Sequence, residues 1–180
     1  MMPVGPLMIE HRLIERMIAV MDKKLRQWEK AGEVDSAFIE TAVDFIRTYA
    51  DRCHHGKEED ILFRDLGKKS LSGDHRRIME ELVEEHRWGR TTTGRLVEAN
   101  EAYRGGESEA ASTIIECVKA LVEFYPKHIE KEDRHFFLPV MEYLSREEKD
   151  AMLNEEYAFD RMLIHETYRD SVAQEEERAG

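Results

Sequence analysis

Helix breakers are scarce in this chain, with four Pro and ten Gly in 180 residues. Long helical segments can therefore run without interruption. Cysteine is scarcer still, and the two present, Cys53 and Cys117, need not pair and are read as reduced thiols. No apolar run approaches the length that spans a bilayer, and the first residues lack a signal-peptide pattern. A soluble cytoplasmic protein with no membrane partner is the expectation. Positive charge is also in deficit, with 27 Lys and Arg against 39 Asp and Glu for a net charge of −12. That balance argues against a nucleic-acid partner, because binding a phosphate backbone needs clustered cations. Lys68-Lys69 and Arg76-Arg77 read as solvated helix ends.

What remains is rich in Leu, Met, Glu, Lys and Arg, which favours an all-α chain. Leu7, His11, Ile14, Ile18, Met21, Leu25 and Trp28 recur at alternating steps of four and three, the inward stripe of a bundle helix ended by Gly32. Asp35 caps a second helix, read with Phe38, Ala42, Phe45 and Tyr49 as its inner face, continuing through His55, Glu59, Leu62 and Leu66. A third runs from about Asp74 to Tyr103 and is stopped by Gly105-Gly106. In the fourth, Leu121, Tyr125, His128 and Glu132 share a face, and Pro126 is expected to kink it. Ser145-Arg146-Glu147-Glu148 is a capping box for a fifth helix reaching about Ala173. The reading is a single domain over residues 1–180. It comprises an up-down-up-down four-helix bundle with an internal two-fold repeat, its halves about 7–66 and 74–139, and an additional C-terminal helix at about 145–173.

The repeat rests on chemistry. His55 and Glu59 lie one helical turn apart, as do His128 and Glu132, so each pair forms a two-tooth clamp of imidazole and carboxylate. His128 follows His55 by 73 positions (128 − 55), and His86 follows the lone His11 by 75 (86 − 11). His54 with Glu58 offers a shifted clamp, but aligning Asp60 with Asp133 and Phe63 with Phe136 selects His55 and Glu59. One buried His can simply hydrogen-bond, whereas an unpaired buried carboxylate costs several kcal/mol. Four His and two Glu converging in a core therefore call for a cation pair. Imidazoles with carboxylates suit iron or manganese, with zinc as an alternative. Two bridging Glu and two His on each ion leave positions for an oxo or hydroxo bridge and for small exogenous ligands.

At these residues the sequence resembles the hemerythrin-like, or HHE cation-binding, domain family, through the pattern H…HxxxE…H…HxxxE over most of residues 7–140. The resemblance implies a four-helix bundle holding a non-heme di-iron centre. His11, His55, His86 and His128 would be terminal ligands, with Glu59 and Glu132 bridging. The chain departs from the oxygen-carrying members of the family. Their third helix carries two His four apart, whereas His86 is followed by Arg90. Their last carboxylate is an Asp five residues after a His, whereas Glu132 follows at four. The departures point to relatives linked to oxygen or iron sensing, nitric oxide or peroxide responses, and repair of iron–sulfur centres.

The expected function is a di-iron protein that binds or reacts with oxygen, nitric oxide or peroxide in sensing, storage or stress response, as a monomer or homodimer. The alternatives are a di-iron enzyme (peroxidase, nitric oxide reductase or iron–sulfur cluster repair) and a zinc-stabilised structural bundle. His165, on the fifth helix, is a further ligand candidate if that helix crosses the open end of the bundle. A His anchoring the helix by a backbone hydrogen bond is the competing reading. His75, eleven residues before His86, is too far along its helix to share the site.

Overall fold

The computed structural model describes residues 2–179, apart from the side chains of residues 164–179. The described residues are helical throughout, joined by short turns. Helix α1 (Val4–Ala31) buries Leu7, His11, Ile14, Ile18, Met21, Leu25 and Trp28, the stripe expected from the sequence. It ends at Gly32, whose φ of 73° lets its N–H close on the Trp28 carbonyl; a Cβ would be strained in that left-handed conformation. Helix α2 (Ser36–Phe45) is capped by the Asp35 carboxylate, which accepts from the Phe38 N–H at 3.0 Å.

Beyond Phe45 the chain does not stay α-helical. It winds as π-helix over Ile46–His55 and again over Glu58–Phe63, ending in the short α3 (Arg64–Leu66). Helix α4 (Gly73–Arg104) starts at the Ser72 cap, and α5 (Ala110–Lys131) runs through Pro126 without breaking. A π-helical segment, Glu132–Phe136, extends α5 into α6 (Phe137–Val140). Helix α7 (Arg146–Ala179) begins at the expected capping box: Ser145 N–H donates to Glu148 at 2.8 Å, and Glu148 N–H donates to the Ser145 hydroxyl at 3.2 Å. It extends beyond the expected end at Ala173.

The inner face of the second helical segment differs from the one expected. Ala42, His55, Leu62 and Leu66 are buried as expected, but Ile39, Val43, Ile46, Ala50, His54 and Glu58 are buried beside them, and Glu59 is not. Phe38, Phe45 and Tyr49 sit at the flank, where Phe38 packs edge-on to Trp28 and Phe45 stacks on Tyr49.

Two apolar clusters sandwich one polar layer. One contains Ile14, Met21, Ala50, Leu96 and Tyr125; the other contains Leu7, Leu62, Leu66, Leu82 and Phe136. On α1, His11 lies between Leu7 and Ile14, and on α4, His86 lies between Leu82 and Leu96. On the segment after α2, His54 and Glu58 lie between Ala50 and Leu62, and Glu132 lies between Ile129 and Phe136. The apolar packing on both sides fixes the height of the four segments, and with it the layer of titratable groups.

Candidate metal centre

The polar layer contains five imidazoles and two carboxylates, all buried: His11, His54, His55, His86, His128, Glu58 and Glu132. They form two groups whose nitrogen and oxygen atoms lie within 4.8 Å of one another, His11, His54, Glu58 and Glu132 on one side and His55, His86 and His128 on the other. Glu58 faces both sides, with Oε1 at 3.4 Å from His54 Nε2 and Oε2 at 3.3 Å from His86 Nε2. Glu132 does the same, with Oε2 at 3.2 Å from His11 Nε2 and Oε1 at 3.1 Å from His128 Nε2.

The imidazoles are held from behind. Each Nδ1 meets a carboxylate: His11 with Asp133 at 2.8 Å, His54 with Glu10 at 2.9 Å, His86 with Glu59 at 2.7 Å and His128 with Glu85 at 2.8 Å. His55 meets Asp51 at 3.3 Å. A carboxylate at Nδ1 keeps the proton there and turns the Nε2 lone pair inward, the outer arrangement usual for metal-bound His.

The inward atoms have no such partners. Nε2 of His11, His54, His86 and His128, and both oxygens of Glu58 and of Glu132, are buried without a hydrogen bond. Buried polar groups are ordinarily satisfied, so a convergent set of orphaned lone pairs marks a place for something else. Four imidazole nitrogens and four carboxylate oxygens facing one another fit two cations.

Without a metal, protons take up that charge. Burial lowers the His11 pKa, but the Asp133 and Glu132 carboxylates outweigh it and raise it to about 10. His86 is raised well above its ordinary value against the same burial, by Glu132, Glu58 and Glu59. Glu132 is held well below the usual carboxylate range: burial raises it, but His128, His11 and His86 prevail. His55 goes the other way and stays neutral, lowered by burial and then by His86, His128 and His54. Its ring stacks on that of His86 with centroids 3.9 Å apart.

The structure brings together five of the residues singled out in the sequence: His11, His55, His86, His128 and Glu132. It does not bring Glu59 among them. Glu59 is partly exposed, receives His86 Nδ1 and lies 2.7 Å from an Arg90 nitrogen; the inward carboxylate is Glu58. His54, set aside in the sequence reading, also faces inward. Both neighbouring His lie at the end of the π-helical segment, His54 turned toward the His11 group and His55 toward the His86 and His128 group. A signal for this register was present. Lys57-Glu58-Glu59 matches Lys131-Glu132-Asp133, and Glu10-His11 matches Glu85-His86. The two sets of outer bonds correspond accordingly: Lys57 donates to Glu10 and Lys131 to Glu85, while Glu59 and Asp133 each hold the lone His of the opposite half. His75 is accounted for elsewhere, 2.9 Å from the Tyr143 hydroxyl. His165 lies outside the described residues.

A cavity of about 220 Å³ opens beside the second group. His55 and His86 form its inner wall, and Asp51, Arg90, Thr93 and Tyr125 line the rest. Phe63 lies parallel to the His86 ring at 6.0 Å, and Phe137 stacks on His11 at 5.5 Å, closing the layer from the other cluster.

An all-helical domain with paired carboxylates among imidazoles defines a cation-binding class. The chain belongs to the hemerythrin HHE cation binding domain family, whose match covers residues 2–140. Among curated proteins it is similar to uncharacterized proteins of Mycobacterium bovis and Mycobacterium tuberculosis, at 22% identity over 139 residues, 77% of this chain and 53% of theirs. The chain thus spans about half the length of the curated relatives it matches. No solved structure matches it. Among the described residues, no helix is long and apolar enough to cross a membrane.

Proposed function

We propose that this protein holds a pair of metal ions, iron foremost, and uses them to bind or react with small ligands such as oxygen, nitric oxide or peroxide. His11 and His54 would serve one ion and His55, His86 and His128 the other, with Glu58 and Glu132 each offering one oxygen to either side. The observation that carries this reading is the convergence of orphaned Nε2 and carboxylate atoms in one buried layer. It also favours an up-down-up-down arrangement with an internal repeat, because corresponding residues of the two halves make corresponding hydrogen bonds.

A bound pair of this kind supplies Lewis acidity and, with iron, reversible electron transfer to a small ligand. The chain's own contribution is positional. Asp133, Glu10, Glu59 and Glu85 fix the tautomers, and the apolar clusters exclude bulk water above and below. The cavity, at about 220 Å³, is smaller than the roughly 300–1,000 Å³ of pockets built for drug-sized molecules. Diatomic gases, peroxide and water fit it readily.

Metal analysis of protein grown with ample iron should find two iron ions per chain, with the near-ultraviolet absorption of a bridged ferric pair. Stoichiometric zinc, or one metal per chain, would overturn the di-iron reading. Anaerobic reduction followed by stopped-flow mixing with oxygen, nitric oxide and peroxide tests the ligand reading. Inertness toward all three would leave storage or a structural metal in its place. Sustained turnover of peroxide or nitric oxide would favour the enzyme alternative.

A further inference from the structure

Lys57 is fully buried, which is unusual for a lysine. Its ammonium donates to Glu10 and, at 2.7 Å, to Asp160 of α7. Glu10 in turn receives His54 Nδ1 on its other oxygen. One uninterrupted run of charged hydrogen bonds therefore leads from the C-terminal helix to the inner face of the metal centre. Neighbouring contacts seat that helix: Arg64 grips Glu155 with both amino groups at 2.7 and 2.9 Å, and the Phe159 ring lies so close over Gly56 that an added Cβ would come within 2.9 Å of it. Glu156 is buried beside Lys57 with neither oxygen hydrogen-bonded.

The other half has the same inner bonds and a different outer end. Lys131 donates to Glu85, which receives His128, but its second acceptor is Glu81 at 3.3 Å on α4, itself 40% exposed. Among the described residues no hydrogen bond joins Lys131 to α7, and its side chain keeps 26% of its exposure. The same device thus ends on α7 in one half, with its lysine fully buried, and on α4 in the other, with its lysine partly exposed.

We propose that Lys57 is a positioning residue through which Asp160 of α7 orients His54, so that docking of the C-terminal helix sets how firmly the ion at His11 and His54 is held. The proposal rests on the two-metal reading above. Carboxylates behind ligating His set both ring orientation and basicity. Glu10 performs that task only while Lys57 holds it, and Lys57 is placed by Asp160. Detaching α7 leaves Glu10 with a mobile ammonium and His54 with a looser partner, while His128 and Glu85 are untouched.

The experiment compares Asp160→Asn, Asp160→Glu and Glu81→Gln in the full chain, metal-free and zinc-loaded, with zinc as a diamagnetic probe. Imidazole nitrogen–proton NMR should show the His54 Nδ1–H signal shifted or broadened in Asp160→Asn, with His128 unchanged, and restored in Asp160→Glu. Glu81→Gln should leave His54 unmoved. Release of zinc to a chromogenic chelator should become about tenfold faster for one of the two ions in Asp160→Asn, the lower end of the effect of losing an outer partner. A His54 signal unmoved by Asp160→Asn, or one that moves together with His128, would overturn the link to α7. A wild-type zinc count other than two would defeat the two-metal reading instead, and the imidazole signals judge the α7 link whatever that count is.

Discussion

The two sides of the candidate centre share a plan but differ in what covers them. On the His11 and His54 side, Phe137 closes over one ring and α7 lies over the run of bonds behind the other. On the His55, His86 and His128 side a cavity reaches the imidazoles, and the supporting Lys131 stands near solvent. Equivalent residues thus face unequal dielectric surroundings. A charge pair that is cheap near water is costly to disturb when buried. The sealed side is suited to holding an ion and the open side to admitting a ligand.

The sharpest break of this comparison is at the carboxylates that serve both sides. Glu132→Ala and Glu58→Ala should each lower bound metal from two ions per chain to fewer than one, read by metal analysis after gel filtration. Glu59→Ala removes a partner of His86 Nδ1 and of Arg90, leaves the inward carboxylates in place, and should weaken one ion by about 10- to 100-fold. Equal losses at Glu58 and Glu59 would mean that the inward face has been misassigned.

Next in size is the contrast between the two lysines. Lys57→Met takes the ammonium away from the largely buried Glu10 and from Asp160 and should cost about 3 kcal/mol in denaturant unfolding of the metal-free protein. That is the low end for a broken buried pair, because the Asp160 side chain is 38% exposed. Lys131→Met should cost less than about 1 kcal/mol. Similar costs would erase the distinction between sealed and open halves.

Two pH effects sharpen it further. With the His11 pKa raised to about 10, the metal-free protein carries that proton at neutral pH, and an incoming ion must displace it. Metal affinity should therefore rise with pH, and zinc addition should release protons measurable in weakly buffered solution. Glu156 bears on the sealed side: burial raises its carboxyl to about 8, against the opposing charge of Lys57 and with Glu10, Asp160 and Glu155 adding to the rise. The folded state holds this proton more tightly than the unfolded chain. The contribution is therefore fully present below the unfolded value of 4.5 and is lost as pH climbs through about 8. Melting curves of Glu156→Gln between acid and mildly alkaline pH should show an advantage over wild type that grows as pH rises. A constant difference would place the titration elsewhere.

The smallest expected effect is Gly56→Ala. Its Cβ would meet the Phe159 ring at 2.9 Å, and the ring can swing aside, so a loss of about 1 kcal/mol is expected, at the low end for overpacking. Protease sensitivity within α7 should rise with it while the cavity side is unaffected.

Much of this was legible in the residues themselves. The inner stripe of α1 from Leu7 to Trp28, the Asp35 cap and the Ser145 capping box follow from local spacing and side-chain chemistry, which tertiary packing had no reason to override. His11, His86, His128 and Glu132 stood out because imidazole or carboxylate at a core position demands a partner. The face of the second segment was not settled in the same way. His54 with Glu58 and His55 with Glu59 have identical spacing, and either choice makes a plausible clamp. The matching Lys-Glu-acid triplets at Lys57 and Lys131 point to Glu58, whereas aligning Asp60 with Asp133 and Phe63 with Phe136 points to Glu59.

By itself, then, the sequence determined a helical chain, a twice-written set of imidazole and carboxylate groups and their approximate level along the helices, because these depend on interactions within a few residues. Only the tertiary structure decided that Glu58 turns inward and Glu59 outward, that both His54 and His55 face the layer, and that α7 reaches Lys57 through Asp160. Each of these depends on which neighbouring segment offers a carboxylate, an apolar wall or a cavity at that height.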